Sequence, residues 1–205
     1  MKKALLMVLS GALIALTSFS HALTQGEMED AITRDTGLSK EKAHNALDAY
    51  EKQLRYEMSE KRAVKLDNYG TYKPRELSGT RTGRTPKGGQ TTYDNWKLVK
   101  GYQTVDEATF NQRAAERAGL SVEEYTQASD SYKNNVGKTL RKGGSVSIHG
   151  EGTYSIRKSK ERIYRKRDGT ITSIAPASKK IRYKGYGKEN KQQFTADDAL
   201  TKQIN

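Results

Sequence analysis

The 205-residue chain carries 37 Lys and Arg against 24 Asp and Glu, a formal net charge of +13, with 34% hydrophobic residues and no cysteine. That length holds one ordinary domain or two small ones, and the missing cysteine excludes a disulfide framework, thiolate zinc sites and a cysteine nucleophile together. A basic excess of this size points to an acidic partner: nucleic acid, an anionic polysaccharide or an anionic membrane surface.

The chain opens with a targeting pattern. Lys2 and Lys3 form a basic start, Ala4 to Phe19 is almost wholly apolar, and Ser20-His21-Ala22 puts small residues where a signal peptidase reads them. Residues 1–22 are therefore expected to be a signal peptide cut after Ala22, giving a periplasmic or secreted protein. The apolar run of about sixteen residues is short for a membrane span, which needs roughly 20.

Two copies of one unit follow. Gly37-Leu38-Ser39 returns as Gly119-Leu120-Ser121, and Gly70-Thr71-Tyr72 as Gly152-Thr153-Tyr154, both at an offset of 82 residues. Without a gap between these anchors, Glu41 matches Glu123, Ala46 matches Ala128, Tyr50 matches Tyr132 and Val64 matches Val146. The spacing predicts copy one over 23–101 and copy two over 102–205.

Each copy is expected to begin with a helix. Thr24 with Glu27, and Thr104 with Glu107, have capping-box spacing, and Gly37 and Gly119 suit the left-handed position after a helix end. A second helix follows, capped by Ser39 or Ser121. Its apolar stripe, Ala43, Leu47, Tyr50, Leu54 and Met58, is matched by Tyr125, Ser129, Tyr132, Val136 and Leu140; such a stripe is core. Short alternating strands at Val64–Leu66 and Val146–Ile148 lead into the Gly-Thr-Tyr strands.

Beyond those strands the chain turns basic and loses its apolar alternation. Copy one runs through Arg81-Thr82-Gly83-Arg84-Thr85-Pro86-Lys87-Gly88-Gly89 and returns near Trp96–Lys100. Copy two runs through Arg165-Lys166-Arg167-Asp168-Gly169, where Asp-Gly signals a hairpin turn, and returns through Ile181–Gly185. Residues 73–100 hold seven basic and two acidic residues, and 155–184 hold eleven basic and two acidic, so the rest of the mature chain is slightly acidic. Charge segregated in this way marks a dedicated anion-binding surface. A last helix is expected over 195–203, capped by Thr195.

The order of helix, Gly-Leu-Ser, helix, strand, Gly-Thr-Tyr strand and basic arm resembles the HU/integration host factor family of bacterial architectural DNA-binding proteins. Arg81-Thr82-Gly83-Arg84-Thr85-Pro86 is similar to that family's Arg-Thr-Gly-Arg-Asn-Pro, and Ile174-Ala175-Pro176-Ala177-Ser178-Lys179-Lys180 to its Ile-Pro-Ala-Ala-Lys stretch. The resemblance implies an α+β fold of tandem HU-like repeats. Each repeat would have two helices and a small antiparallel sheet with a protruding β-ribbon arm.

It also implies that the arms wrap the minor groove and that Pro86 wedges between base steps; most loop prolines merely stiffen a turn. An apolar ring on a basic ribbon can unstack a step for a few kcal/mol, offset by the phosphate contacts of a bent duplex. The cations expected to meet DNA are Arg75, Arg81, Arg84, Lys87, Arg157, Lys158, Arg165, Lys166, Arg167, Lys179, Lys180 and Arg182.

The sequence departs from the family in three respects. Copy two has no proline at its tip, copy one lacks a terminal helix, and both copies sit behind one targeting segment. Each half is too small to bury its stripe alone, so an intramolecular pseudo-dimer is expected; a homodimer that swaps halves satisfies the same need.

Nothing in the sequence suggests catalysis, a metal site, a cofactor or a small-molecule substrate. Gly137-Lys138-Thr139 lacks the upstream glycine of a phosphate loop, and His21, His44 and His149 stand apart from one another. The expectation is an exported, largely sequence-independent binder and bender of double-stranded DNA. The alternative is an envelope or extracellular protein whose arms grip another polyanion: a glycan, lipopolysaccharide or host matrix.

Overall fold

A computed structural model describes residues 22–85, 88–185 and 191–205. Of the expected signal segment, 1–22, residues 1–21 lie outside those described, and Ala22 stands in the first strand. The elements are β1 (Ala22–Leu23), α1 (Gln25–Thr36), α2 (Lys40–Ser59), β2 (Ala63–Leu66), β3 (Gly70–Arg84) and β4 (Gln90–Leu98), then β5 (Thr104–Val105), α3 (Glu107–Ala118), α4 (Val122–Arg141), β6 (Ser145–Ile148) and β7 (Gly152–Ser159). The distal strands β8 (Arg162–Arg165) and β9 (Ile171–Ala175) follow, then β10 (Ser178–Gly185), β11 (Gln192–Ala196) and α5 (Asp198–Ile204). The fold is α+β with two HU-like repeats.

The helices form where capping and apolar periodicity agree. Thr24 and Glu27 close a full capping box on α1, and Ser121 and Glu124 do the same on α4. Gly37 (φ 76°) and Gly119 (φ 66°) take the left-handed position, which costs a glycine no side-chain clash. The stripes of α2 and α4 are buried as expected. Neither helical pair covers its own stripe: α2 packs on α3 of the other copy, and α1 on α4. The apolar side chains of both stripes join one continuous core.

Two expected caps are overturned, for one reason. Thr104 does not cap α3; it lies in β5, paired with Ala63, and Asp106 caps the helix by accepting from the Thr109 N–H at 2.8 Å. Thr195 likewise lies in β11, paired with Thr71, and α5 begins after Asp197. In both places a strand from a distant part of the chain claims the threonine first.

Those strands are exchanged between the repeats. One sheet runs β1-β6-β7-β10, the other β11-β3-β2-β5, with β4 pairing the outer part of β3. Copy one thus lends β1 to the copy-two sheet, and copy two lends β5 to the copy-one sheet, both in parallel pairing. The C-terminal segment crosses as well. β4 leaves β3 at Arg75, and β11 takes over from Pro74 down to Gly70. Gly70 admits this crossing: a Cβ there would stand 2.5 Å from the Thr195 carbonyl oxygen and 2.6 Å from the Phe194 ring. Gly137, within α4, makes similar room for α5, since a Cβ would meet the Gln203 side chain at 2.3 Å.

Candidate nucleic-acid interface

The bases of both arms meet at one buried carboxylate. Glu151 is 1% exposed, and its Oε1 accepts from the Tyr72 hydroxyl of β3 at 2.7 Å and from the Tyr154 hydroxyl of β7. Tyr132 of α4 donates to Oε2 at 2.7 Å, while the Glu151 carbonyl accepts from Tyr183 at 2.6 Å and from Gln192 at 3.1 Å. Burial pushes the Glu151 carboxyl above its usual range, although the hydroxyls of Tyr154, Tyr132 and Tyr72 pull the other way. Phe194 from β11 packs against the rings of Tyr69, Tyr72, Tyr154 and Tyr183 at centroid distances of 4.9 to 5.9 Å.

A second polar knot ties the repeats at the helices. The Glu57 carboxylate is fully buried and accepts from Arg62, Gln53 and, across the repeats, Arg113 at 2.8 Å. Burial alone would raise this carboxyl; the hydrogen bonds from Arg62, Arg113 and Gln53 hold it below its usual range. Asp35 of α1 similarly accepts from Ser131 and Asn135 of α4. These contacts fix the two arm bases relative to each other.

Above this platform the strands sort their side chains by alternation. Val64, Leu66 and Tyr72 turn inward and are buried, which places Lys65, Lys73 and Arg75 on the outer face of the copy-one sheet. In the other sheet Tyr154 is buried, and Arg157, Lys180, Arg182 and Lys184 share the opposite face. Lys65, Lys73 and Lys184 extend the set named from sequence. Lys73 and Lys184 stand two positions from Arg75 and Arg182, the period that would have found them.

Arm one is the β3–β4 ribbon. One extra residue on β3 between Leu77 and Thr80 makes a bulge, with Gly79 at φ 121°. Past the bulge Arg81 faces the same way as its partner Tyr93, and Arg84 the other way, with Gln90. Gly83 leaves space for the Tyr93 ring, which would stand 2.9 Å from a Cβ. The turn is held by Gly89 N–H to Thr85 Oγ1 at 3.0 Å and Thr85 N–H to the Gly89 carbonyl at 2.7 Å. Pro86 and Lys87 lie outside the described residues.

Arm two has a basal part, β7–β10, and a distal hairpin, β8–β9. Its turn carries Gly169 at φ 86°, and Asp168 accepts from the Thr170 N–H at 2.9 Å, the bond that holds its carboxyl below the usual range. The one acidic group at the tip is thereby used by the turn itself. Arg165, Lys166 and Arg167 are exposed around it.

Three of the expected cations donate to backbone carbonyls: Arg75 to Trp96, Arg165 to Gly169 at 3.2 Å across its own turn, and Lys179 to Ile204 at 3.2 Å, the C-terminal end of α5. Among the described residues, no ion pair occupies Arg81, Arg84, Arg157, Lys158, Arg165, Lys166, Arg167, Lys180 or Arg182. Their charges are available to an external polyanion.

The sequence pattern of the family described as "Bacterial DNA-binding protein" matches residues 23–93 and again 105–205. The chain belongs to this family. It is 32% identical over 69 residues to the integration host factor subunit alpha of Nitrosococcus oceani, covering 34% of this chain and 69% of that protein. It is 36% identical over 69 residues to the subunits of the same name from Stenotrophomonas maltophilia and Xanthomonas campestris, covering 34% of this chain and 69% of each. The resemblance to HU and integration host factor proteins therefore holds, and both repeats share in it.

Proposed function

We propose that this member of the DNA-binding family is an exported architectural protein that grips duplex DNA with little sequence preference and bends it. The observation carrying the proposal is the basic surface, which runs from the outer sheet faces onto two ribbons fixed at one buried carboxylate. Cations on rigid strands suit phosphate contacts, which position a protein without reading sequence. Arg81, Arg84, Arg157, Lys158, Arg165, Lys166, Arg167, Lys180 and Arg182 are assigned to the backbone, with Lys65, Lys73 and Lys184 beside them. Arg75 and Lys179 act closer to the scaffold. Pro86 is assigned the wedge of arm one, with Lys87 next to it.

Such binding releases counterions, so log K falls by about 0.9 per phosphate neutralised. With six contacts, affinity for a random-sequence duplex should drop roughly 10³-fold between 50 and 200 mM salt. An affinity that stays level over that range overturns the proposal. Export rests on the first 22 residues, and the N-terminus of the protein recovered from the periplasm or medium should be Leu23. Retention of Met1 in the cytoplasmic fraction overturns that part alone.

A further inference from the structure

The distal hairpin of arm two carries an apolar face that its lack of a tip proline conceals. Ile163 pairs with Ile174, and two ladder steps further out, beyond the Tyr164–Ser173 pair, Arg165 pairs with Ile171, because Thr172 is bulged out of register. In an unbulged hairpin Arg165 would meet Thr172, and Ile171 would point to the opposite side. The bulge brings three isoleucines onto one side of a two-stranded ribbon, 46%, 55% and 46% exposed at 163, 174 and 171. Isoleucines left in water at successive positions of one ribbon face lower solubility with no gain in stability, so the face is built to be covered.

The surroundings say what covers it. Arg162, Arg165, Lys166 and Arg167 are exposed on the same hairpin, and Lys158 lies on the ribbon just below. An apolar strip bordered by cations is complementary to a ligand with an apolar interior between anionic rails. Duplex DNA has that form, with stacked bases and sugar walls between two phosphate rows, and branched aliphatic side chains unstack base steps where they enter the minor groove. We infer that the Ile163–Ile171–Ile174 face is a second apolar wedge of this protein, so that arm two distorts the duplex as well as holding its phosphates. The inference rests on the proposed DNA binding. It makes two deformation sites in one chain, of different chemistry: a proline on arm one and an isoleucine face on arm two.

The test uses the full mature chain with the double substitution Ile163→Thr and Ile174→Thr, which keeps strand-compatible side chains at exposed positions. Bending is read by end-to-end energy transfer in a labelled duplex, and unstacking by 2-aminopurine fluorescence. The expected result is a smaller bend, a lost 2-aminopurine signal and affinity on the order of tenfold weaker, with the salt slope unchanged because no charge is removed. Ile163→Val with Ile174→Val should restore the bend, which separates the wedge from a collapsed hairpin.

Unchanged bend and fluorescence in the Thr variant, with duplex binding intact, overturn the wedge and leave the DNA-binding proposal standing. A wild-type chain that fails to bind duplex overturns both. If the Thr variant instead loses binding to phosphatidylglycerol vesicles while its duplex binding stays at wild-type strength, the face serves an anionic lipid surface and the wedge is likewise overturned.

Discussion

Replacing Phe194 by Ala tests whether the C-terminal strand is an integral part of copy one. The ring is 9% exposed and is enclosed by Tyr69, Tyr72, Tyr154 and Tyr183. Those walls cannot easily close over a cavity: Tyr72 and Tyr154 are held by the Glu151 carboxylate, and Tyr183 by its carbonyl. Phe-to-Ala changes in cores cost about 3–5 kcal/mol, and a site that cannot collapse belongs in the upper half, about 4 kcal/mol. In a chain of this size each kcal/mol moves the midpoint by roughly 2–4 °C, so Tm should fall by roughly 8–16 °C. Urea unfolding followed by circular dichroism and by tyrosine fluorescence measures the loss and shows whether both repeats melt together. A cost under about 1 kcal/mol would show that the ring does not fill this core, and separate melting of the repeats would refute the strand exchange as the coupling between them.

Four further outcomes are expected. Gly70→Ala presses a Cβ onto the Thr195 carbonyl and the Phe194 ring and should cost about 2–3 kcal/mol, near the upper end for overpacking, in the same melting assay. Arg113→Gln removes the partner of Glu57 that crosses between repeats, while Arg62 remains; the loss should be about 1–2 kcal/mol at neutral pH. The Glu57 carboxyl is held below its unfolded value, so its contribution is present at neutral pH and is lost as pH falls through the folded pKa; the advantage of wild type over Arg113→Gln should shrink along that limb. Glu151 has the opposite sign: its folded pKa is raised, so wild type loses stability relative to Glu151→Gln as pH climbs from the unfolded value through the folded one, and a difference that moves the other way would refute the assignment. Pro86→Ala should reduce the bend of a bound duplex more than the affinity, as measured by energy transfer and by titration; an unchanged bend would return Pro86 to the role of a turn residue.

Much of this architecture can be read from residues alone because the deciding interactions are local or repeated. Gly37 and Gly119 announce helix ends, the stripe from Ala43 to Met58 recurs at one offset, and Asp168-Gly169 makes its turn with neighbours in the chain. Long-range pairing is where local rules fail. Thr104 has a good cap spacing, yet Ala63 pairs with it across the repeats, and Thr195 is taken by Thr71 in the same way. Glu151 could not be placed in the core from sequence, since it occupies the position equivalent to Tyr69 and a carboxylate there needs three hydroxyls from three separate elements. In the interface the arginines are visible as a run, whereas the isoleucine face depends on a one-residue bulge that no spacing rule reports.

The crossing of β11 also sets an order of events in time. Copy one cannot complete its sheet until residues 192–196 exist and have reached β3, and these are made only after β5 to β10 of copy two. The first half of the chain therefore has no finished fold of its own during synthesis, and its assembly waits on contacts of very large sequence separation, which close slowly. A stop codon or a protease cut near residue 190 would keep all four strands of the β1-β6-β7-β10 sheet and strip the first repeat of its closing strand. Loss of residues 192–196 would thus be felt first at the base of arm one.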